Sequence, residues 1–284
     1  MYAKMQALTK SRYGRLNLLT TAVLLIIGLV WIYPFLWVIF ASFKTPSEMF
    51  RAGATLLPET WDFSNFSRAW FKANFNIYFF NTIVYAVSAT VIEVIKSSMC
   101  GYVLGRYDFP GRRLLMGLIL ATLFIPIASI ILPQFQLIRT LGLLNTRPGV
   151  ILAMSGGAGA LYVLLFTGFF QTLPDELFDS ARIDGAGFLT TFRLMLPLAK
   201  PIIGTVVIFQ FMNAWNEFNI PLVFTLGKPE LRNMAVGMYA FRGEYSVDWP
   251  GFAAGTAISI IPVLLVFFAF QGYFVRGLSG AVKQ

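Results

Sequence analysis

The chain runs from Leu16 to Phe43 without a single acidic or basic side chain. An apolar helix needs about 20 residues, at about 1.5 Å each, to cross the hydrocarbon core of a bilayer. This stretch exceeds that length, and it is too long for the apolar core of a signal peptide, so it predicts a retained membrane span. Apolar residues form 57% of the chain and charged ones 12%, a balance that a soluble protein of this length could not bury.

Six segments reach spanning length and predict an all-α membrane protein that forms one domain over residues 1–284. The segments are 17–41, 81–102, 114–138, 150–170, 201–224 and 253–275. Several contain a proline, which removes a backbone hydrogen bond and kinks the helix. Glu93 and Lys96 interrupt the second segment, three residues apart on one helix face. This spacing favours an internal ion pair over a substrate contact, while snorkelling of Lys96 to the cytoplasmic surface is a further interpretation.

The distribution of basic residues predicts the orientation. Four of them precede the first span: Lys4, Lys10, Arg12 and Arg15. Lysine and arginine are modestly in excess in the segments on that side, so we expect both termini in the cytoplasm and the loops 42–80 and 225–252 outside. The formal net charge is +9, and the basic residues lie in short loops beside apolar spans. The sequence shows no basic patch interleaved with aromatic residues, so it does not predict nucleic-acid binding.

The residue types that are missing exclude several kinds of chemistry. The sequence has no histidine, which excludes His-containing triads and removes the commonest general base and metal ligand. Cys100 is the only cysteine, so no internal disulfide and no Cys-based metal site can form. Gly227-Lys228 lacks the flanking residues of a phosphate-binding loop, so another chain must bind ATP if the protein uses it. We expect no catalytic residue, metal or cofactor in this chain.

A polar segment of residues 172–196, between the fourth and fifth predicted spans, predicts a helix followed by a glycine turn. Thr172 fits an N-cap, with Pro174 and Asp175 in the first turn. Leu177, Phe178 and Ala181 lie on one apolar stripe.

The predicted turn lies at Asp184-Gly185, because glycine adopts left-handed geometry without steric penalty. A second amphipathic helix over residues 188–195 then leads to Pro197. Two interpretations of this helix–turn–helix stay open on physical grounds: an ordinary interfacial hairpin, or an element that docks into a cytoplasmic ATPase.

The residues of this connector resemble a known motif. Asp179-Ser180-Ala181-Arg182-Ile183-Asp184-Gly185-Ala186, followed by Leu196-Pro197, resembles the EAA loop of bacterial ABC importer permeases, usually E-A-A-x-x-D-G-A with a later L-P. Asp179 and Ser180 stand where the family has Glu and Ala. Further segments resemble the same family in the same order: SFK at 42–44, GRYDFPGRR at 105–113, LGLLNT at 141–146, WNEF at 215–218 with PL at 221–222, and the segments 271–278 and 280–283. Together they are similar to the carbohydrate-uptake branch and its MalG-like subunits.

The resemblance implies an inner-membrane permease subunit with six transmembrane helices and a cytoplasmic coupling helix–turn–helix between spans four and five. Its implied partners are a second, MalF-like permease, two ABC ATPase subunits that bind ATP and magnesium, an extracytoplasmic sugar-binding protein, and membrane lipid. Gly185 would set the bend of the loop. The docking surface would be formed by charged residues (Asp179, Arg182, Asp184), apolar residues (Leu177, Phe178, Ala181) and the motif positions Ala186 and Pro197.

Span five contains many polar side chains for a membrane segment. Its candidate pathway residues are Asn213, Trp215, Asn216, Glu217 and Asn219. Intramembrane polar groups usually face a bundle interior or an aqueous cavity, and amides with an indole suit a sugar pathway. Hydrogen bonds between helices explain the same residues, and we favour that interpretation because the family shares this box across different substrates.

Three alternatives to a sugar importer are weaker. The same machinery for an acidic saccharide or a glycerol phosphate fits the resemblance, and a cation near the pore such as Lys96 would suit an acidic sugar. A secondary transporter predicts inverted repeats and a midplane ion site, and no repeat is visible in the sequence. A membrane-embedded enzyme needs an acid/base pair or metal ligands at membrane depth, which this chain lacks the residues to build. The sequence leaves the identity of the saccharide open.

Overall fold

The computed structural model describes the backbone at residues 2–51, 55–157, 159–241 and 247–281, and the side chains at residues 20–51, 55–126, 128–157, 159–239, 241 and 247–273. Within these ranges every regular element of more than one residue is helical. The α-helices are α1 (Tyr2–Ala41), α2 (Pro46–Met49), α3 (Ser64–Ser67), α4 (Phe75–Arg106), α5 (Arg112–Ala121), α6 (Ile127–Thr140), α7 (Arg147–Ser155), α8 (Ala160–Thr172), α9 (Asp175–Ile183), α10 (Phe188–Met195), α11 (Lys200–Asn216), α12 (Asn219–Phe224), α13 (Met234–Gly237) and α14 (Trp249–Ala281).

Basic residues at both ends of the chain carry much of the orientation argument. Their side chains lie outside the described residues: Lys4, Lys10, Arg12, Arg15, Arg276 and Lys283. The orientation therefore stays a prediction.

Four helices are long and apolar enough to cross a membrane. They are Thr20–Ala41, Phe75–Arg106, Phe188–Asn216 and Trp249–Tyr273. Two bent helix pairs pass the same test together, which gives up to six candidate spans among the described residues. The structure thus confirms an all-helical architecture rich in apolar helices.

The third and fourth predicted spans are each divided, where the sequence predicts one helix. Arg112–Phe124 and Ala128–Thr140 meet at 109°. Ile125 lies between them in an extended conformation before Pro126, because proline disfavours helical geometry in the residue that precedes it. Arg147–Ser155 and Ala160–Thr172 meet at 58° across a glycine-rich break.

Span five is also interrupted, between α11 and α12. Glu217 is extended (ψ 123°) and ends α11 four residues before Pro221. A proline ring clashes with the carbonyl four residues earlier, so the helix breaks at Glu217 rather than at the proline itself. Pro34 and Pro262, by contrast, lie inside the long helices α1 and α14.

Packing divides the chain into two compact units, Met1–Lys72 with Phe241–Ile258 and Ala73–Ala240 with Ser259–Gln284. The first unit is organised around Phe43, whose ring contacts the rings of Trp61, Phe63 and Phe66 at centroid distances of 5.0–5.2 Å. Asn65 is fully buried beneath this cluster and donates to the carbonyls of Ser42 and Lys44, both at 3.0 Å. Buried backbone carbonyls require such partners, so Asn65 fixes the loop that follows α1.

The second unit is built around α4, which packs against α7, α8 and α11. Glycine permits the closest of these approaches. A Cβ on Gly101 would lie 2.4 Å from Cβ of Phe166 on α8. Because α4 and α8 touch through this glycine, α8 is held rigidly to the centre of the unit, and α8 leads directly to the polar connector.

Candidate functional site

The first helix of the connector begins two residues later than the sequence predicts, with Pro174 and not Thr172 at its N-cap. Thr172 is the last residue of α8, and its hydroxyl donates to the Phe169 carbonyl at 2.7 Å. The prediction that Thr172 caps the next helix was wrong, because that hydroxyl is already engaged in the preceding turn. Pro174 stands at the N-cap of α9, and Asp175 and Glu176 occupy its first turn, where the helix dipole favours acids.

The turn after α9 is a Schellman motif centred on Gly185. The Gly185 amide donates to the Arg182 carbonyl at 3.0 Å, and the Ala186 amide donates to the Ala181 carbonyl at 2.9 Å. Gly185 has φ +74°, in the left-handed region that favours glycine. The predicted glycine stop is confirmed in position and geometry, and Ala186 closes the motif by packing on the core.

The second helix of the connector is joined to span five. α10 continues through a 3-10 turn (Leu196–Ala199, with Pro197 in its first positions) into α11. The run Phe188–Asn216 qualifies as one long apolar helix. This helical run connects the segment after the Gly185 turn to the polar residues at the end of α11.

Burial divides the predicted docking residues of α9 into two groups. Phe178 is 6% exposed and Ala181 5%, and both belong to the core cluster that contains Tyr102 and Phe192. Both side chains pack inside this cluster, and their contact with a partner stays a prediction. The members of the predicted set that lie at least partly on the surface are Leu177, Asp179, Arg182, Asp184, Gly185, Ala186 and Pro197.

Ile183 is the apolar residue of the connector that the sequence argument missed. It is 86% exposed and lies directly before the turn. An apolar side chain so placed at the tip of a connector is the kind of group that a partner surface buries. Its position between Arg182 and Asp184 in the motif was the available signal.

Three contacts, two of them aromatic and one ionic, attach α9 to the end of α4. The guanidinium of Arg106 lies 3.8 Å from the centroid of the Phe178 ring and 2.5 Å from Oδ1 of Asp175. The Tyr102 ring stacks on Phe178 at 6.3 Å. A cavity of about 630 Å³ with charged walls lies beside this junction, and Arg182 and Asp179 line it. These contacts fix α9 to α4, mainly through the Phe178 ring.

The candidate pathway residues of span five are mostly engaged within the unit. Trp215 is buried and stacks on Phe211 at 5.4 Å. Asn216 donates to the Met212 carbonyl of its own helix at 2.8 Å. Asn213 and Asn219 are exposed, and the Asn213 amide donates to the Tyr162 hydroxyl on α8 at 3.2 Å.

Glu217 lies in the break between α11 and α12, and its side chain stabilises the start of α12. Its Oε1 accepts from the backbone amides of Asn219 and Ile220 at 2.9 and 3.1 Å, which caps α12. The Asn233 side chain donates to the Glu217 carbonyl at 2.6 Å and ties the following loop to the same point. Among the five candidates, Asn213, Asn216 and Asn219 are exposed, Glu217 is partly exposed and Trp215 is buried.

The pair within span two forms as the sequence predicts. Nζ of Lys96 lies 2.7 Å from Oε2 of Glu93. The expected snorkelling of Lys96 does not describe its position, because the ammonium instead donates to the carbonyls of Ser155 and Gly157 in the α7–α8 break, at 2.8 and 2.7 Å. A group of three or more acidic, Cys or His ligands fit for a metal ion is absent from the described residues.

Long apolar helices that break at polar points, with an exposed helix–turn–helix joined to them, are the architecture of a membrane transport permease. The profile of the family described as binding-protein-dependent transport system inner membrane component matches residues 97–280. The chain belongs to this family. As a permease subunit of an ABC transporter it is not itself an enzyme.

Relatives match over nearly the whole chain. The diacetylchitobiose uptake system permease protein NgcG of Streptomyces coelicolor is 36% identical over 272 residues, which is 95% of this chain and 88% of the relative. The arabinooligosaccharides transport system permease protein AraQ of Bacillus subtilis is 33% identical and covers 93% and 94%. A chain of a bacterial ABC transporter involved in the import of the acidic polysaccharide alginate superposes with a TM-score of 0.78, at 26% identity, over 93% of this chain and 98% of that one.

Proposed function

We propose that the chain is a permease subunit of an ATP-driven importer of a sugar or oligosaccharide, in which it forms the translocation pore together with a second permease. The observation that carries this proposal is the similarity at 30–36% identity to permeases named for saccharide uptake, over more than nine tenths of this chain. A binding protein outside the membrane delivers the saccharide, and two ATPase subunits bind ATP and magnesium.

The connector of residues 172–196 is the coupling loop that docks on an ATPase. Ile183 and the charged side chains of Asp179, Arg182 and Asp184 form its contact surface, because they are exposed. Arg106 and Phe178 fix α9 to α4, and α10 runs into α11. Movement of the ATPases therefore shifts the loop as a rigid body and alters the bundle through two helices at once.

Six spans, with both termini in the cytoplasm, place the coupling loop inside and the loops 42–80 and 225–252 outside. The two bent pairs then each count as one span, and non-helical backbone at membrane depth is tolerated where it lines a cavity. The exposed amides of Asn213, Asn216 and Asn219 lie toward the saccharide pathway, whereas Trp215 and Glu217 support it through packing and capping.

The experiment is co-purification of the tagged chain from its own host in a mild detergent, followed by a ligand screen of the binding protein from the same host. We expect recovery of a second permease and an ATPase, and a saccharide that raises the melting temperature of the binding protein. Uptake of that saccharide by the reconstituted complex with ATP completes the test. Recovery of the chain alone, or stabilisation of the binding protein by an amino acid or a metal ion and by no saccharide, contradicts the proposal.

A further inference from the structure

The break between α7 and α8 contains an ammonium group from another helix. Lys96, on α4, places Nζ within 2.7–2.8 Å of three oxygens: Oε2 of Glu93 and the carbonyls of Ser155 and Gly157. Ser155 ends α7 and Gly157 lies in the break, so α8 supplies no helical partner for these carbonyls. Lys96 Nζ donates to the two carbonyls and forms an ion pair with Oε2 of Glu93.

The backbone of the break is shaped to fit this charge pair. Gly157 and Gly159 have φ +96° and +55°, both in the left-handed region. A Cβ on Gly159 would lie 1.8 Å from Oε1 of Glu93. This second oxygen of Glu93 is buried and has no hydrogen-bond partner among the described residues. The carboxylate of Glu93 therefore lies directly against Gly159. Among the described residues, Lys96 is the cation that pairs with it.

The position of the break relates the charge pair to the coupling loop. α8 begins directly after the break and ends at Thr172, three residues before α9 begins. The same helix carries Tyr162, whose hydroxyl accepts from the exposed Asn213 amide of α11 at 3.2 Å. α8 therefore connects the break to a candidate pathway residue, through the Tyr162–Asn213 hydrogen bond, and to the coupling loop at its far end.

We propose that Lys96 is a positioning residue for transport, acting as a covalently tethered cation in a site formed by Glu93 and the two carbonyls of the helix break. Carboxylates and free carbonyls of broken helices form the cation sites of other membrane transporters. Here the cation belongs to the protein, so the break is held closed without an ion from solution. The uptake measurement that tests this inference rests on the proposed function, whereas the hydrogen-exchange measurement does not.

The same geometry argues against a direct substrate contact for Lys96. The ammonium is engaged within the unit by two carbonyls and by the Glu93 carboxylate, so a saccharide hydroxyl would have to compete with these partners. Loss of the ammonium should therefore leave the concentration of saccharide at half-maximal uptake unchanged and lower the maximal rate. We expect at least about a tenfold fall in that rate, because a buried carboxylate without its counter-charge is strongly unfavourable.

The test is chemical rescue in the complex purified with its partner permease and ATPase and reconstituted in lipid nanodiscs. Lys96→Ala removes the ammonium with its stem and leaves room for a primary alkylammonium. Amide hydrogen exchange of the peptide that contains the Gly159 to Val163 turn should accelerate in this variant. Added n-propylammonium should restore protection, and tetramethylammonium should not, since it has no N–H donor. This readout needs no saccharide.

Two further variants complete the experiment. Lys96→Met fills the space without a charge and should accelerate exchange without rescue by any amine. Lys228→Ala, at an exposed lysine of another loop, is the matched control and should leave exchange at the break unchanged. In proteoliposomes that take up the saccharide identified for the wild type, n-propylammonium should also restore the maximal uptake rate of Lys96→Ala.

The outcomes separate this inference from the proposed function. Exchange that is unaltered in Lys96→Ala, or altered and not rescued by n-propylammonium, overturns the tethered-cation role. A rise in the half-maximal saccharide concentration with an unchanged maximal rate overturns it in favour of a substrate contact. Failure of the wild-type complex to take up any saccharide contradicts the proposed function alone, because the exchange measurement still decides the role of Lys96.

Discussion

The Gly185 turn gives a prediction whose magnitude follows from the backbone alone. A Cβ added at Gly185 meets no atom within 4 Å, so a larger residue there is opposed by the left-handed φ of +74° and not by crowding. Left-handed geometry costs an L-residue about 1–2 kcal/mol. We expect Gly185→Ala to lower the free energy of opening the turn by about 1 kcal/mol and Gly185→Val by about 2 kcal/mol, because valine is β-branched. Asparagine tolerates this geometry, so Gly185→Asn should lie closest to the wild type.

The matched control is two residues away. Gly187 also has no atom within 4 Å of an added Cβ, but its φ of −73° and ψ of 176° suit any residue. Gly187→Val should therefore change the opening free energy by less than about 0.5 kcal/mol. The two positions share the same open surroundings and differ in backbone geometry, which isolates the effect of the turn.

Amide hydrogen exchange at Ala186 measures this opening, because its N–H is held by the Ala181 carbonyl at 2.9 Å. At about 1.4 kcal/mol per tenfold, exchange should accelerate about fivefold in Gly185→Ala and about thirtyfold in Gly185→Val. Stimulation of ATP hydrolysis by the binding protein should fall in the same order. The reasoning is refuted if Gly187→Val accelerates exchange as much as Gly185→Val, or if both leave exchange unchanged.

Two further substitutions test the attachment and the packing of the coupling loop. Arg106→Met removes the cation above the Phe178 ring and weakens the attachment of α9 to α4 by about 1–2 kcal/mol, so stimulated ATP hydrolysis should fall several-fold. Arg113→Met, at an exposed arginine nearby, is the control. Equal losses of ATP hydrolysis in both variants would contradict the attachment. Gly101→Val inserts a side chain where even its Cβ would lie 2.4 Å from Phe166 Cβ. Overpacking of this kind costs about 1–3 kcal/mol or more and should lower the melting temperature of the complex, while Gly117→Val, with open space around it, should leave that temperature nearly unchanged.

The apolar pattern predicted the helices well where a helix is continuous. The first span ends at Ala41, where the sequence places its end, and the second connector helix agrees in both bounds. The turn at Gly185 was also predictable, because one residue type satisfies the geometry. In each case a local property of the residues decides the structure.

The breaks and the burial of the connector depend on tertiary contacts that a single sequence does not display. Nothing local indicates that Lys96 reaches the carbonyls at Ser155 and Gly157, since the donor and acceptors are separated by about sixty positions. Phe178 fits an exposed docking stripe as well as an internal one until α4 is placed beside it. The position of Ile183 within the motif was visible in the sequence, but its exposure follows from the direction of α9 on the core.

The most direct test of the account is photo-crosslinking from the tip of the coupling loop in intact cells. A benzophenone amino acid replaces Ile183, which is 86% exposed, and in a separate variant Leu226, which is 62% exposed in the opposite predicted loop. The account predicts that the group at position 183 captures an ABC ATPase subunit and that the group at position 226 does not. Capture of the ATPase from position 226, or its absence from position 183 in a complex that contains it, would contradict the assignment of the coupling loop.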